Sequence, residues 1–458
     1  MLTAQQKNTI DLSLLKERDQ LPYKKLYDYF LHPLMSEQEK QVYADAFLSK
    51  QIALLKLPST DFPKHVDELE QWVETHHHAT CRKFQCYLQE RKAGQPRQYF
   101  PNLSAIYLFL LKVAPVKLVD GAWLYRSTAH WQNPAFHDLI ITYLEELGLG
   151  RPAGNHVCMY QQLIRHLGLH EFQLSLDDAY YHQPVIQLAL GYASDHFLPE
   201  MIGFNLGYEQ LPLHLMITNY ELAELGVDSQ YFNVHITIDN LDNGHAKRAI
   251  RAVQCMQDHS PDWWQRIQTG YMLNDVGLSS TQLIAEFDLG KSIEELMQRK
   301  ALIGQFVHNN RCEFAQKSIN EWLSNPQTVP QLLTLLEEKK WIRRHEAPEQ
   351  SPFWRMIADE QGKMFGVFNH IEKQLIYDWI AGDLPAKRQY SGRLRYSSDQ
   401  TESSMQLIQH HADLSRYKTT VDRMEAVRKL MSPAQHFNPE GLAATHYFSQ
   451  QIFPHLSF

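Results

Sequence analysis

An excess of positive charge is the first thing that this sequence lacks. Its 458 residues include 44 lysines and arginines against 52 aspartates and glutamates, which gives a formal net charge of −8. A protein that binds nucleic acid normally clusters basic residues to neutralise phosphates. The charge balance therefore argues against a nucleic-acid partner and leaves small-molecule partners open.

Cysteine is also scarce. The chain has 5 cysteines, an odd number, and no two of them have the spacing of a zinc ribbon. A disulfide framework is not expected in so long a chain, and a reduced, cytoplasmic setting fits best.

Long apolar runs are missing as well. The most apolar stretch, residues 105–119, is interrupted by lysines and a proline and is too short to span a bilayer. The first 20 residues lack the basic and apolar regions of a secretory signal. The sequence also has no glycine-rich phosphate loop, no Gly-x-Ser-x-Gly elbow and no flavin or nicotinamide motif.

Helical periodicity is what the sequence does show. Apolar residues recur every three or four positions in segments such as 37–57, 136–148 and 157–168. Alternation typical of strands is nearly absent, so we predict an all-α protein.

We expect three regions along the chain. Residues 1–95 form an N-terminal helical region, and residues 271–458 form a C-terminal one. The central region, residues 96–270, is the densest in aromatic residues, prolines and potential metal ligands. We therefore expect the metal-binding domain there.

The stretch HITIDNLDNGH, residues 235–245, is the strongest candidate site. If it is one helix, His235, Asp239 and Asp242 share a stripe, and His245 lies off it by roughly 80°. Imidazole and carboxylate ligands together suit iron or manganese better than a structural zinc. The alternative is an ordinary solvated helix face.

One helix cannot complete a metal site, and four candidates lie upstream. Glu146 ends one predicted helix, His156 opens the next, and Glu209 and Asp120 lie in apolar surroundings. Each has an alternative. Glu146 and Glu209 could be exposed, His156 could be a neighbour of a helix cap, and Asp120 could cap a helix at 122–130. The order of the whole set favours a site, as in helical di-iron proteins.

A second histidine cluster, ETHHHATC at residues 74–81, needs the same scrutiny. Glu74, His78 and Cys81 are about one helical turn apart, but no partner motif supplies a fourth zinc ligand. We interpret it as a solvated helix face.

These stretches resemble a known family, the heme-oxygenase-like di-iron oxidases and oxygenases, or iron-containing redox enzymes. The resemblance covers roughly residues 100–260 and rests on four stretches. They are PVKLVDGAWL, YLEELGLGRPAGNHVCMY, LPEMIGFNLGYE and YFNVHITIDNLDNGHA. It implies a heme-oxygenase-like helical bundle with N- and C-terminal helical extensions. The late stretch SPAQHFNPEGLAATHYF resembles extensions of larger members but carries no chemistry that we can name.

The resemblance also implies a ligand set. The positions that match the family pattern are Glu146, His156, Glu209, His235 and Asp239.

Two ligand positions depart from that pattern. Asp120 stands where the family usually has a glutamate, so its role as a ligand is open. The family's closing histidine comes three residues earlier than His245. Either a π-bulge returns His245 to the metals, or Asp242 takes its place.

The implied activity is that of a non-heme iron oxidoreductase. The resemblance predicts two Fe(II)/Fe(III) ions per chain, O2 as co-substrate and a small carboxylate-containing substrate such as an amino acid or a fatty acid. The expected outcomes are N-oxygenation, oxidative C–C cleavage or desaturation. An external electron donor and a homodimer are compatible with it. The alternatives are a cofactor-less or heme-handling enzyme of the same fold, and a non-catalytic helical interaction protein.

Overall fold

The protein is almost entirely helical in its computed structural model. The structure describes residues 21–55, 61–172, 174–238, 244–257, 260–308, 311, 313–386, 388 and 417–456. Within these ranges, the one sheet is a two-stranded hairpin of β1 (Glu313–Phe314) and β2 (Lys317–Ser318). The predicted all-α class is confirmed. No helix in the described ranges is long and apolar enough to cross a membrane.

The helices follow one another with short connections, several of which are 3-10 turns. The first group is α1 Tyr23–Phe30, α2 Glu37–Leu54, α3 Leu69–Lys92, α4 Leu103–Lys117, α5 His137–Glu146, α6 His156–His166 and α7 His182–Tyr192. The second is α8 Leu198–Tyr208, α9 Leu213–Glu224, α10 Gln230–Ile238, α11 His245–Cys255, α12 Trp263–Met272, α13 Ser280–Ala285 and α14 Leu289–Gly304. The third is α15 Ile319–Leu323, α16 Val329–Glu338, α17 Pro352–Ala358, α18 His370–Ala381, α19 Thr420–Leu430 and α20 Pro439–Ile452.

Two hydrophobic cores organise these helices. The first core unites α1, α2, α5, α7, α8, α11 and α12 with α19 and α20. The second core unites α4, α6, α9 and α10 with α13 to α18. Segments of the predicted metal-binding region contribute to both cores, so its residues lie along the seam between them.

The first core runs across both predicted region boundaries, at residues 95 and 270, and the second core runs across the boundary at residue 270. Helices α1 and α2 pack in the same core as α7 and α8, and the C-terminal helices α19 and α20 join them. The three-region division remains a prediction, and apolar burial in the described residues does not follow it.

The C-terminal helices pack against the turn between α5 and α6. A Cβ atom at Gly150 would lie 2.3 Å from the carbonyl oxygen of Leu442, so only glycine fits there. In addition, the Asn155 Nδ2 atom lies 3.1 Å from His436 Nδ1. The last helices therefore hold the loop that precedes His156.

Candidate metal centre

A tight turn brings Glu146 and His156 together. Glu146 is the last residue of α5, and Gly148 follows it with a φ of 62°. A Cβ atom at Gly148 would lie 2.3 Å from the backbone nitrogen of Asn155, so the chain can reverse there only with glycine. Asn155 then caps α6, since its Oδ1 atom accepts from the Cys158 N–H at 3.0 Å. His156 is consequently the first residue of α6 and faces Glu146.

A second glycine brings Asp120 to the same place. Gly121 has a φ of 78°, and a Cβ atom there would lie 2.9 Å from the Cβ atom of Glu146. The Glu146 side chain passes directly over this glycine. Asp120 does not cap the 3-10 segment Ala122–His130, whose N-cap residue is Gly121. Its carboxylate points into the protein instead.

The first ligand group consists of Asp120, Glu146, His156 and His235, all of them buried. His156 Nδ1 lies 2.6 Å from Glu146 Oε2 and 3.8 Å from Asp120 Oδ2. His235 Nε2 lies 2.9 Å from Asp120 Oδ2. One ligand atom from each residue falls within 4.8 Å of the others, so the four can surround a single cation.

The second ligand group consists of Glu146, Glu209 and His245, which are also buried. His245 Nδ1 lies 3.0 Å from Glu209 Oε2 and 3.4 Å from Glu146 Oε1. The two groups share Glu146, whose two oxygens face different histidines. Each group could hold a cation, and Glu146 is common to both.

The contact between Glu146 and His156 tests whether these residues fit a metal. Glu146 Oε2 and His156 Nδ1 are both buried, and neither makes a hydrogen bond of acceptable geometry within the described residues. They nevertheless converge to 2.6 Å. Buried polar atoms normally have a hydrogen-bond partner. A carboxylate oxygen and an imidazole nitrogen that lie close together without such a hydrogen bond are suited to bind the same cation. Carboxylate and imidazole donors match the preferences of iron.

Charge stabilises the ligand state of Asp120. Burial alone would raise the pKa of its carboxyl group, but the Lys117 ammonium group and the hydrogen bond with His235 lower that pKa well below its usual range. Burial lowers the pKa of His156, yet the Glu146 charge outweighs it and the pKa is raised. Protons on the imidazoles therefore compete with metal cations for these positions.

Neighbouring groups orient the ligands, as is usual around protein-bound metals. The hydroxyl groups of Tyr231 and Tyr208 donate to Asp120 over 2.6 and 3.2 Å. His235 Nδ1 lies 2.7 Å from the Tyr231 carbonyl oxygen, which leaves its Nε2 atom for Asp120 or a metal.

His245 has a support of a different kind. Its Nε2 atom lies 2.9 Å from Glu145 Oε2, and the Arg248 guanidinium group holds both oxygens of Glu145 at 2.6 and 2.9 Å. The imidazole is thereby turned so that Nδ1 faces Glu146 and Glu209. Arg248 lies on the same helix as His245, three residues further along.

The prediction of one helix from 235 to 245 is wrong. The helix that carries His235 ends at Ile238, and His245 begins another helix after Gly244 in extended conformation. Asp239 and Asp242 lie outside the described residues, so their places as ligand and as rival to His245 remain predictions. His245 reaches the centre from the start of a new helix.

Sequence reasoning missed several residues that complete the surroundings of the centre. Glu145 forms a tandem acidic pair with Glu146, and Tyr231 precedes His235 by one helical turn, so both carried a weak signal. His436 carried none, because the stretch around it could be linked to Asn155 only by tertiary packing. The histidine cluster at 74–81 lies on α3, where Glu74 and His78 are exposed. Its side chains do not form a group that could hold a metal ion with other described residues.

A shallow cleft opens beside the second ligand group. It lies between residues 73–80 of α3 and the residues Gln210, Leu211 and Ala246, and its volume is about 20 Å³. Gln210 and Ala246 directly follow Glu209 and His245 in the chain. The cleft is thus lined by neighbours of two candidate ligands, while Glu209 and His245 themselves are buried.

A comparison with known protein families gives a match whose range includes this site. Residues 108–274 match the family model described as iron-containing redox enzyme. The matched range includes every described candidate ligand, and the resemblance predicted from the motifs is confirmed. No significant match was found among curated proteins or among solved structures.

Proposed function

We propose that the protein is a non-heme di-iron enzyme that uses O2 to oxidise a small carboxylate-containing metabolite. One observation carries the proposal. Glu146 belongs to two buried ligand groups at once and presents a different oxygen to each. Glutamates and histidines that project inward from several helices are typical of di-iron sites, and a carboxylate common to two such groups suits a pair of adjacent iron ions.

The ligands divide between the two ions. Asp120, His156 and His235 would hold the first, and Glu209 and His245 would hold the second, with Glu146 between them. Asp239 is proposed as a further ligand from the family pattern. When bound, such a pair of Fe(II) ions would supply electrons that reduce O2, and an external donor would replace those electrons.

The chain's own residues shape the reaction space. The Tyr231 hydroxyl group keeps its proton directed at Asp120, because burial and the Asp120 charge raise its pKa well above the usual range. The aromatic rings of Tyr160 and Tyr231 lie 4.9 Å apart and help to exclude water from the first ligand group.

The packing of the centre disfavours a heme-handling enzyme. A heme enzyme needs a histidine that faces open space for a flat macrocycle and requires few carboxylates. Here His156, His235 and His245 each face a buried carboxylate within 3.0 Å. An interaction protein would not need these buried charges, which are rare without a functional partner.

Iron quantitation after anaerobic Fe(II) loading and removal of free metal tests the proposal. We expect about two irons per chain, and consumption of O2 that a carboxylate substrate accelerates. His235→Ala should lower the iron content, whereas His78→Ala on the exposed face of α3 should leave it unchanged. An iron content near zero in the unaltered protein would contradict the proposal.

A further inference from the structure

Lys117 is a buried cation beside the metal centre. It is the last residue of α4, and only 7% of its surface is exposed. Among the described residues, its ammonium group forms no hydrogen bond and no ion pair within 4.0 Å. Lysine is almost never buried without a partner, because desolvation of an isolated ammonium group is costly. Lys117 therefore needs an explanation that the fold alone does not supply.

The surroundings of the ammonium group connect it to the first ligand group. Its Nζ atom lies 5.5 Å from the centre of the Tyr231 ring, and the hydroxyl of the same tyrosine donates to Asp120. Burial raises the pKa of the Asp120 carboxyl group, and the charge of Lys117 is among the causes that lower it. The ammonium group thus lies on the Asp120 side of the centre.

A neighbouring histidine supplies no negative charge. Burial, reinforced by the Lys117 charge, lowers the pKa of His214 to about 4, so this imidazole is neutral at physiological pH. An aromatic face and a neutral imidazole can accompany an ammonium group but cannot neutralise it. Two divalent cations on Asp120, Glu146 and Glu209 would more than compensate those carboxylates. The loaded centre would then leave Lys117 without a counter-charge.

We propose that the Lys117 ammonium group binds the carboxylate of the substrate and thereby aims the organic acid at the first ligand group. This inference rests on the proposed function and names the recognition element within that site. The substrate class is an organic acid with a free carboxylate, and an amide or ester of the same skeleton should be rejected.

The other cations near the centre in sequence do not suit this role. The Arg126 guanidinium group is already bound to Asp195, with both nitrogen–oxygen distances at 2.7 Å. Arg151 is exposed. Of these three cations, only Lys117 is buried next to a candidate ligand.

Calorimetric titration of the iron-loaded, anaerobic protein tests this inference. Acetate, octanoate and L-leucine serve as carboxylate probes, and octanamide serves as the uncharged control. We expect at least one carboxylate to bind to the unaltered protein and to Lys117→Arg. Lys117→Met should bind it at least tenfold more weakly, while octanamide is treated alike by all variants. Lys112→Met is the matched control, because this lysine lies on the same helix but faces Glu286 at 3.8 Å.

Parallel iron quantitation separates the two proposals. Two irons per chain with carboxylate binding that does not depend on Lys117 would overturn the carboxylate-binding role of Lys117 but not the di-iron function. Carboxylate binding that depends on Lys117 in a protein unable to retain iron would overturn the di-iron function and support the carboxylate-binding role. If Lys117→Met changes iron retention but not carboxylate affinity, Lys117 only balances the Asp120 charge and its carboxylate-binding role is wrong.

Discussion

The two ligand groups share Glu146 but are held in place by different means. In the first group, the hydroxyl groups of the buried Tyr231 and the partly buried Tyr208 donate to Asp120. The imidazoles of His156 and His235 pack with ring centres 4.3 Å apart. In the second group, His245 is fixed by an ion pair whose members are partly exposed, with 18% of the Glu145 side chain and 16% of the Arg248 side chain accessible. Aromatic packing resists solvent, whereas partly exposed ion pairs are weakened by water and salt.

The comparison indicates unequal metal affinity. The first group offers four described ligands in a dry environment, and the second offers three beside a cleft. We expect the first iron to survive dialysis better than the second. The substitutions below test this expected difference in iron affinity between the two groups.

Loss of the shared carboxylate should have the largest effect. Glu146→Gln removes a charged ligand from both groups, so iron affinity should fall on the order of 100-fold or more at each position. Iron content after dialysis measures this. Glu74→Gln, on the exposed face of α3, is the control. Retention of one tightly bound iron in Glu146→Gln would show that Glu146 serves a single ion.

Loss of an unshared histidine should affect one group only. His235→Ala should remove the first iron and His245→Ala the second, each leaving about one iron per chain. Mössbauer spectra of the two variants should differ, because the remaining ion has different ligands. Complete iron loss in both variants would mean that the two positions fill only together.

Loss of the Glu145 carboxylate, which contacts His245, should weaken iron binding less than loss of His245 itself. Glu145→Gln keeps the side-chain shape but loses the charge, so the second iron should bind about 10- to 100-fold more weakly while the first is unaffected. Glu70→Gln is a close control. Glu70 also pairs with a residue of α11, Lys247, but does not contact His245. Equal losses at both iron positions would contradict the proposed division.

The tyrosine support of Asp120 should have a smaller effect. Tyr231→Phe deletes one hydrogen bond to a charged acceptor but leaves the one from Tyr208. We therefore expect the lower end of the usual value, about 1.5 kcal/mol, and roughly tenfold weaker binding of the first iron. Tyr160→Phe removes a similarly buried hydroxyl that donates to the Leu110 carbonyl oxygen and not to a ligand. Iron titrations that do not distinguish the two variants would argue against a role for Tyr231.

The smallest expected effect concerns His436, beside the first group. Burial lowers its pKa to about 3, whereas the unfolded chain takes up a proton near pH 6.5. The unfolded state therefore binds more protons as the pH falls below about 6.5, and stability decreases. Metal-free protein should lose about 1 kcal/mol from this group between pH 6.5 and pH 5.5. Urea unfolding of His436→Gln should show a correspondingly smaller loss.

The sequence could predict which candidate ligands local structure brings together. Glu146 and His156 are joined by a turn whose glycines and Asn155 are visible in the chain, and the helical period places Tyr231 and His235 together. The position of His245 could not be predicted. The sequence of 235–245 is compatible with one continuous helix, whereas Gly244 is in extended conformation and His245 begins a new helix. The contact of His245 with Glu145 spans 100 residues and depends on packing between α5 and α11.

The burial of two candidate ligands could not be predicted either, for a related reason. Glu146 and Glu209 each had a solvated alternative, and both are buried at 3% exposure or less. Burial of these side chains depends on which helices pack together between the two cores. The local sequence around each residue does not specify that packing.

The packing of the C-terminal helices on the α5–α6 turn has a consequence for biosynthesis. A ribosome delivers every described candidate ligand, from Asp120 to His245, well before it delivers His436 and Leu442. Domains fold as units during synthesis, but the loop that aims His156 at Glu146 stays unsupported until those late residues arrive. Metal capture by a nascent chain should therefore be inefficient, and a chain cut short before α20 should bind little iron.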